Sequence, residues 1–146
     1  MRFSANAIKC YSCNSTNLND TCFTLANKTQ IPLLTCNATT SSFYQFLNTT
    51  HLNPIFAQEA LNATEYECVT FKKHYEQGNA TQIGRGCFPR NHYVNSCQAM
   101  HTSGDSAHHL TDCEICHHDN CNSASSMVPT SVFMLLAYLV FKIYLK

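Results

Sequence analysis

Apolar residues fall into three patterns along the chain, separated by polar stretches rich in Asn, Thr, Ser and His. Glu67 to Phe88, ECVTFKKHYEQGNATQIGRGCF, alternates partly between apolar and polar and breaks at Gly78-Asn79, which predicts a hairpin turning there. Asn53 and Pro54 precede Ala57, Gln58, Glu59, Ala60 and Leu61, which predicts a short helix with Asn53 as N-cap and Pro54 in the first position. The third pattern is Val132 to Phe141, VFMLLAYLVF, ten apolar residues that stop at Lys142. A helix that spans a bilayer needs about 20, and a snorkelling Lys142 extends the run only to Leu145.

Composition changes this picture by removing the large core. The 45% hydrophobic content counts ten cysteines and the apolar tail, so the middle of the 146-residue chain has room for one domain with little grease. A formal net charge of zero, with no basic run, removes the electrostatic argument for nucleic-acid binding. Ten cysteines, an even number, point to five disulfides and an oxidising compartment. Seven N-x-S/T acceptors agree: Asn14, Asn19, Asn27, Asn37, Asn48, Asn62 and Asn79. Fourteen Asn in a chain of this Ser and Thr content predict about two or three by chance, so the excess points to an N-glycosylated extracellular surface.

The two ends bear on the route to that surface. Asn122, Ser123, Ala124 and Ser125 are small or polar; a short spacer to Ser131 and the apolar tail follow, which matches a glycosylphosphatidylinositol (GPI) attachment signal over 123–146. Ser123 is the expected anchor site, with Asn122 and Ala124 as alternatives. A short real membrane helix and an unprocessed amphipathic end stay open as other readings of the tail. At the start, MRFSANAIKC has no apolar stretch of signal-peptide length, yet Ala5-Asn6-Ala7 fits a cleavage pattern. The expectation is that 1–7 are the remnant of a signal-peptide cleavage region, that Met1 is an internal start, and that the mature chain begins at Ile8.

The stretch TDCEICHHDNCN admits several chemistries. Cys113-x-x-Cys116-His117 has the spacing of a haem attachment, and C-x-x-C also serves zinc and thiol redox sites. Haem needs two free thiols and an axial ligand, for which only His117 and Met100 can be offered. A zinc ribbon needs its two C-x-x-C pairs about 15 to 20 residues apart, whereas Cys10-x-x-Cys13 lies about a hundred residues from Cys113. His108, His109, His117 and His118 can hold a metal weakly or sense pH, but exposed loop histidines are ordinarily only solvated. Gly104-Asp105-Ser106 with His108 and His109 lacks the glycine after the serine that a hydrolase elbow needs. No enzyme, cofactor or metal is expected from these motifs, and spacing alone leaves the disulfide pairing open.

The ordered set IKCYSCNS, YECVTFKK, GRGCF and CEICHHDNCN, with Asn122 directly after the last cysteine, resembles the three-finger domain of the lymphocyte-antigen-six / urokinase-receptor family. The C-x-x-C before the final cysteines makes it most similar to the invertebrate sleepless/quiver-like branch. The resemblance covers Ile8 to Asn122 and implies an all-β, small, disulfide-rich, snake-toxin-like fold over 8–122, with the short helix in the long Cys36–Cys68 connection. It implies the pairs Cys10–Cys68, Cys13–Cys22, Cys36–Cys87, Cys97–Cys113 and Cys116–Cys121. One departure stands out: Cys36 and Cys68 enclose 31 residues that carry three of the sequons, which makes Cys36 the least secure of the pairings.

The resemblance further implies a GPI-anchored protein on the extracellular face of the plasma membrane that modulates a membrane partner such as a potassium channel or nicotinic-type receptor. Adhesion, junction assembly and trafficking are the alternatives within the same family. Candidate partner contacts are Lys72, Lys73, His74 and Tyr75 on the second finger, and Arg90 and His92 leading into the third. Phe71 and Tyr93 serve equally well as cover for a small core.

Overall fold

The computed structural model describes residues 7–41, 62–92, 94–102 and 108–123. The predicted helix from Asn53, the sequon at Asn48, Tyr93, Ser106 and the tail from Ala124 lie outside the described residues. In chain order the elements are β1 (Lys9–Tyr11), β2 (Cys13–Ser15), α1 (Thr21–Thr24), β3 (Leu33–Thr35), β4 (Tyr66–Tyr75), β5 (Ala80–Pro89), α2 (Ser96–Thr102) and β6 (His108–Cys116). The strands form a two-stranded sheet, β1-β3, and a four-stranded sheet of order β2-β5-β4-β6. Every pairing is antiparallel. The fold is the small disulfide-rich all-β three-finger class that the resemblance implies.

The second finger is the β4-β5 hairpin, in register from Tyr66 opposite Pro89 to Tyr75 opposite Ala80. Its turn needs positive φ, and Gly78 (95°) and Asn79 (50°) supply it, the two residue types that adopt the left-handed region most readily. Alternation along this hairpin is only partial because its base is covered on both faces, so that Glu67 to Phe71 and Ile83 to Pro89 are all buried. On one face Val69, Phe71 and Phe88 pack against Ala99 and Met100 of α2. A Cβ at Gly84 would run into the ring of Phe71 opposite it, so this close approach requires glycine.

The helix α2 was not anticipated from the sequence. Its cap is nonetheless local: Asn95 Oδ1 accepts from Gln98 N at 2.7 Å and the Asn95 carbonyl from Ala99 N at 3.0 Å. Asp20 does the same for α1, its side chain accepting from Cys22 N at 2.7 Å.

All ten cysteines are bridged, as Cys10–Cys68, Cys13–Cys22, Cys36–Cys87, Cys97–Cys113 and Cys116–Cys121. Cys10, Cys36, Cys68 and Cys87 are all buried and, with Ile8, form a second core at the root of the fingers. Asn122 closes that hub by acting as a strand residue does: its Oδ1 accepts from Tyr11 N at 2.9 Å, and its Nδ2 donates to Tyr11 O at 2.8 Å. Asp119 Oδ1 and the Lys9 carbonyl continue the seam, accepting from Lys9 N and Asn120 N at 2.9 and 2.8 Å.

Candidate functional site

The finger surfaces are the candidate interface, and the sheet places the residues on them. Lys72 Nζ lies 3.2 Å from Asp112 Oδ2, bridging β4 to β6 across the ladder. His74 stands opposite His109 and Tyr75 opposite His108, with 5.3 Å between ring centroids in each pair. Tyr75 donates its hydroxyl to Gln82 Oε1 at 2.8 Å, and Gln82 Nε2 donates to Asn14 Oδ1 at 2.8 Å, which ties the second finger to the first. Arg90 Nη1 lies 3.2 Å from Glu65 Oε2 nearer the hub, and His92 beside it is exposed.

Lys73 is different. At 5% exposure it is buried, with its ammonium 5.5 Å from the Phe71 ring centroid, so it covers the core with its stem and is not displayed to a partner. The reason is the strand period of two: Val69, Phe71 and Lys73 point to the face that α2 covers, and Lys72 and His74 to the other.

The described sequon asparagines, Asn14, Asn19, Asn27, Asn37, Asn62 and Asn79, are all exposed. Asn27 and Asn37 each accept from the threonine hydroxyl of their own sequon, Thr29 and Thr39, at 2.6 Å. Four of these sites lie between Cys13 and Ala38, and no N-x-S/T follows Asn79, so the third finger carries none.

The C-x-x-C is resolved by geometry. Cys113 is bridged to Cys97 and Cys116 to Cys121, so its two sulfurs belong to different loops and neither is a thiol. Bridge sulfurs do crowd together in the hub, with those of Cys10, Cys36 and Cys87 within 4.8 Å of one another, but oxidised cystine sulfur is not the thiolate that binds metal. Glu67 sits between Ser96 and His117, accepting from Ser96 N at 3.3 Å and lying 3.9 Å from His117 Nδ1. A nucleophile relay needs the histidine between the serine and the carboxylate, so this trio is a structural tie and not a hydrolytic one.

Two buried polar residues, Arg85 and Glu67, organise the hub and its edge. Arg85, fully buried, donates from Nε to Cys22 O at 3.1 Å and from Nη1 to Thr70 Oγ1 at 3.1 Å and to Asn122 O. It thereby links the first finger, the second finger and the chain's closing asparagine. Burial draws its guanidinium below the ordinary arginine range, and the Glu114 carboxylate acts the other way. Glu67 is the other, anchoring the start of α2 to β4. Neither has a signal in local sequence, because a lone Arg or Glu in a strand reads as a solvated charge.

The model of the Quiver family u-PAR/Ly-6-like domain matches residues 8–122. No curated protein and no solved structure matches the chain. Domains of this family are generally non-enzymatic binding domains of small secreted or GPI-anchored modulators, typically extracellular or at the cell surface, which suits an arrangement of presented hairpins better than a catalytic cleft. From Ile8 to Asn122, with its bridged hub and three fingers, the chain belongs to the Quiver family of u-PAR/Ly-6-like proteins.

Proposed function

We propose that this chain is a GPI-anchored, N-glycosylated cell-surface binding protein that modulates a membrane partner in its own bilayer, such as a potassium channel or nicotinic-type receptor. The single observation that carries the reading is the family match over 8–122. The physical support is preorganisation: hairpins held by a bridged hub present side chains already ordered, which lowers the entropic cost of binding. Anchoring both proteins in one membrane raises their effective concentration, so modest contacts suffice. Lys72, His74, Tyr75, Arg90 and His92 are the proposed contacts, and the exposed sequon asparagines are the proposed glycan sites, with Asn48 added from sequence. Among the described residues no helix is long and apolar enough to cross a membrane, and the lipid anchor is proposed at Ser123, with Asn122 and Ala124 as neighbours. In this reading the chain catalyses nothing and needs no cofactor.

Phospholipase treatment of expressing cells tests the anchor. Release of a protein whose C-terminus lies near Ser123 supports it, and retention in the membrane removes it. Recording currents from a co-expressed potassium channel, and separately from a nicotinic-type receptor, tests the modulation. Unchanged currents in both, together with lost cell contacts on depletion, would transfer the reading to adhesion.

A further inference from the structure

Near the ends of the second and third fingers, where no cysteine stands, two histidines lie side by side across the ladder with their rings tilted by 59°. His74 of β4 and His109 of β6 are direct cross-strand partners, on the sheet face opposite the one that buries Phe71. His109 is exposed and His74 half-buried. Cross-strand neighbours on one face are held at a fixed separation by the ladder, which is the requirement for two side chains to share one ligand.

The separation fits a metal ion. A metal–nitrogen bond is about 2.1 Å and an imidazole nitrogen lies about 1.1 Å from its ring centre, so a bound metal stands about 3.2 Å from each centroid. Centroids 5.3 Å apart then subtend about 112° at the metal, close to the tetrahedral angle that zinc prefers. Thr81 Oγ1 approaches His74 Nδ1 at 3.4 Å. A proton on Nδ1 directed at that oxygen leaves Nε2 as the ligand atom, the usual way in which a neighbouring group selects the binding tautomer. Lys72, two residues along β4 on the same face, is paired with Asp112 at 3.2 Å.

We propose that His74 and His109 form a surface site for a divalent transition metal of the Zn²⁺ or Cu²⁺ class, two imidazoles being the donors those ions favour. The metal clamps the tips of two fingers where no disulfide reaches, and its remaining coordination positions are open to water or to a carboxylate or imidazole from a partner. This inference stands apart from the channel reading, because it is tested on the purified protein alone.

The test is calorimetric titration of the bridged glycoprotein, purified from a eukaryotic secretory host, with ZnCl₂, NiCl₂ and CuCl₂. The expected result is one ion per chain, with Cu²⁺ the tightest of the three. His74→Asn and His109→Asn should each weaken binding by at least about tenfold, while His117→Asn and His118→Asn leave it unchanged. A free-thiol count of zero in each variant controls for folding. Should His74→Asn misfold, the exposed His109→Asn decides with a second readout: the nitrogens coordinated to Cu²⁺, seen by electron paramagnetic resonance, fall from two to one. No stoichiometric binding by the parent protein, binding retained in both variants, or loss confined to one of two folded variants would each overturn the site.

Discussion

Around Cys10, Cys36, Cys68 and Cys87 the interior is mostly sulfur, lined by Ile8 and closed by the side chain of Asn122, whereas beneath the four-stranded sheet Val69, Phe71 and Phe88 meet Ala99 and Met100 in an ordinary apolar contact. The two cores are stabilised by different physics. Cross-links act chiefly by restricting the unfolded chain, so the hub tolerates a polar exterior rich in N-x-S/T acceptors but depends on its bridges staying oxidised. The apolar cluster gains from burial and shape, so it is sensitive to single methylenes, and the Cys97–Cys113 bridge beside it ties α2 to β6. The two cores divide the labour: the hub fixes where the fingers start, and the apolar cluster, with the Cys97–Cys113 bridge, holds the second and third fingers together.

Opening the Cys10–Cys68 bridge of the hub and truncating Phe71 should have the largest effects, each about 4 kcal/mol. Cys10 and Cys68 close a separation of 58 residues, for which loop entropy alone assigns about 4 kcal/mol, so replacing both with Ser should abolish secretion. The same model assigns about 2 kcal/mol to the short Cys116–Cys121 loop, separation 5, whose removal should lower thermal stability and leave secretion measurable. The two secretion yields, measured side by side, check this ordering.

Phe71→Ala breaks the apolar cluster instead. A fully buried phenylalanine lost from a core costs about 3 to 5 kcal/mol, and here the expected consequence is loosening of α2 with the hub still bridged. Hydrogen exchange should show early loss of protection in Ser96–Thr102 while the free-thiol count stays at zero. Gly84→Ala perturbs the same cluster from the opposite side, by overfilling. Its added methyl meets the Phe71 ring, and the cost should be about 1 to 3 kcal/mol in a denaturation curve. The smallest effect belongs outside both cores: Lys72→Ala removes a partly exposed ion pair with Asp112 and should change stability by under about 1 kcal/mol.

Legibility in the sequence followed the range of the forces. The second finger could be read directly, since Gly78-Asn79 marks a backbone that needs positive φ, and that demand belongs to two adjacent residues. The α2 helix has its N-cap at Asn95, but it is only seven residues long and carries a bridged cysteine, too short for an apolar period to mark it. In sequence Lys72, Lys73 and His74 all look displayed, because a run of polar residues conceals the alternation that turns Lys73 inward.

The order of residues alone made legible the scarcity of core, the position of the hairpin turn and, through the order of the cysteine motifs, the family. Each follows from composition or from residues close together in the chain. Three features emerge only from the folded chain: Arg85 joins Cys22, Thr70 and Asn122, Asn122 completes β1 from 111 residues away, and His74 pairs with His109 across a ladder. Those are contacts between distant segments, and which of them form depends on how the strands pair and on the bulge at Lys72/Lys73 that sets the register of β6.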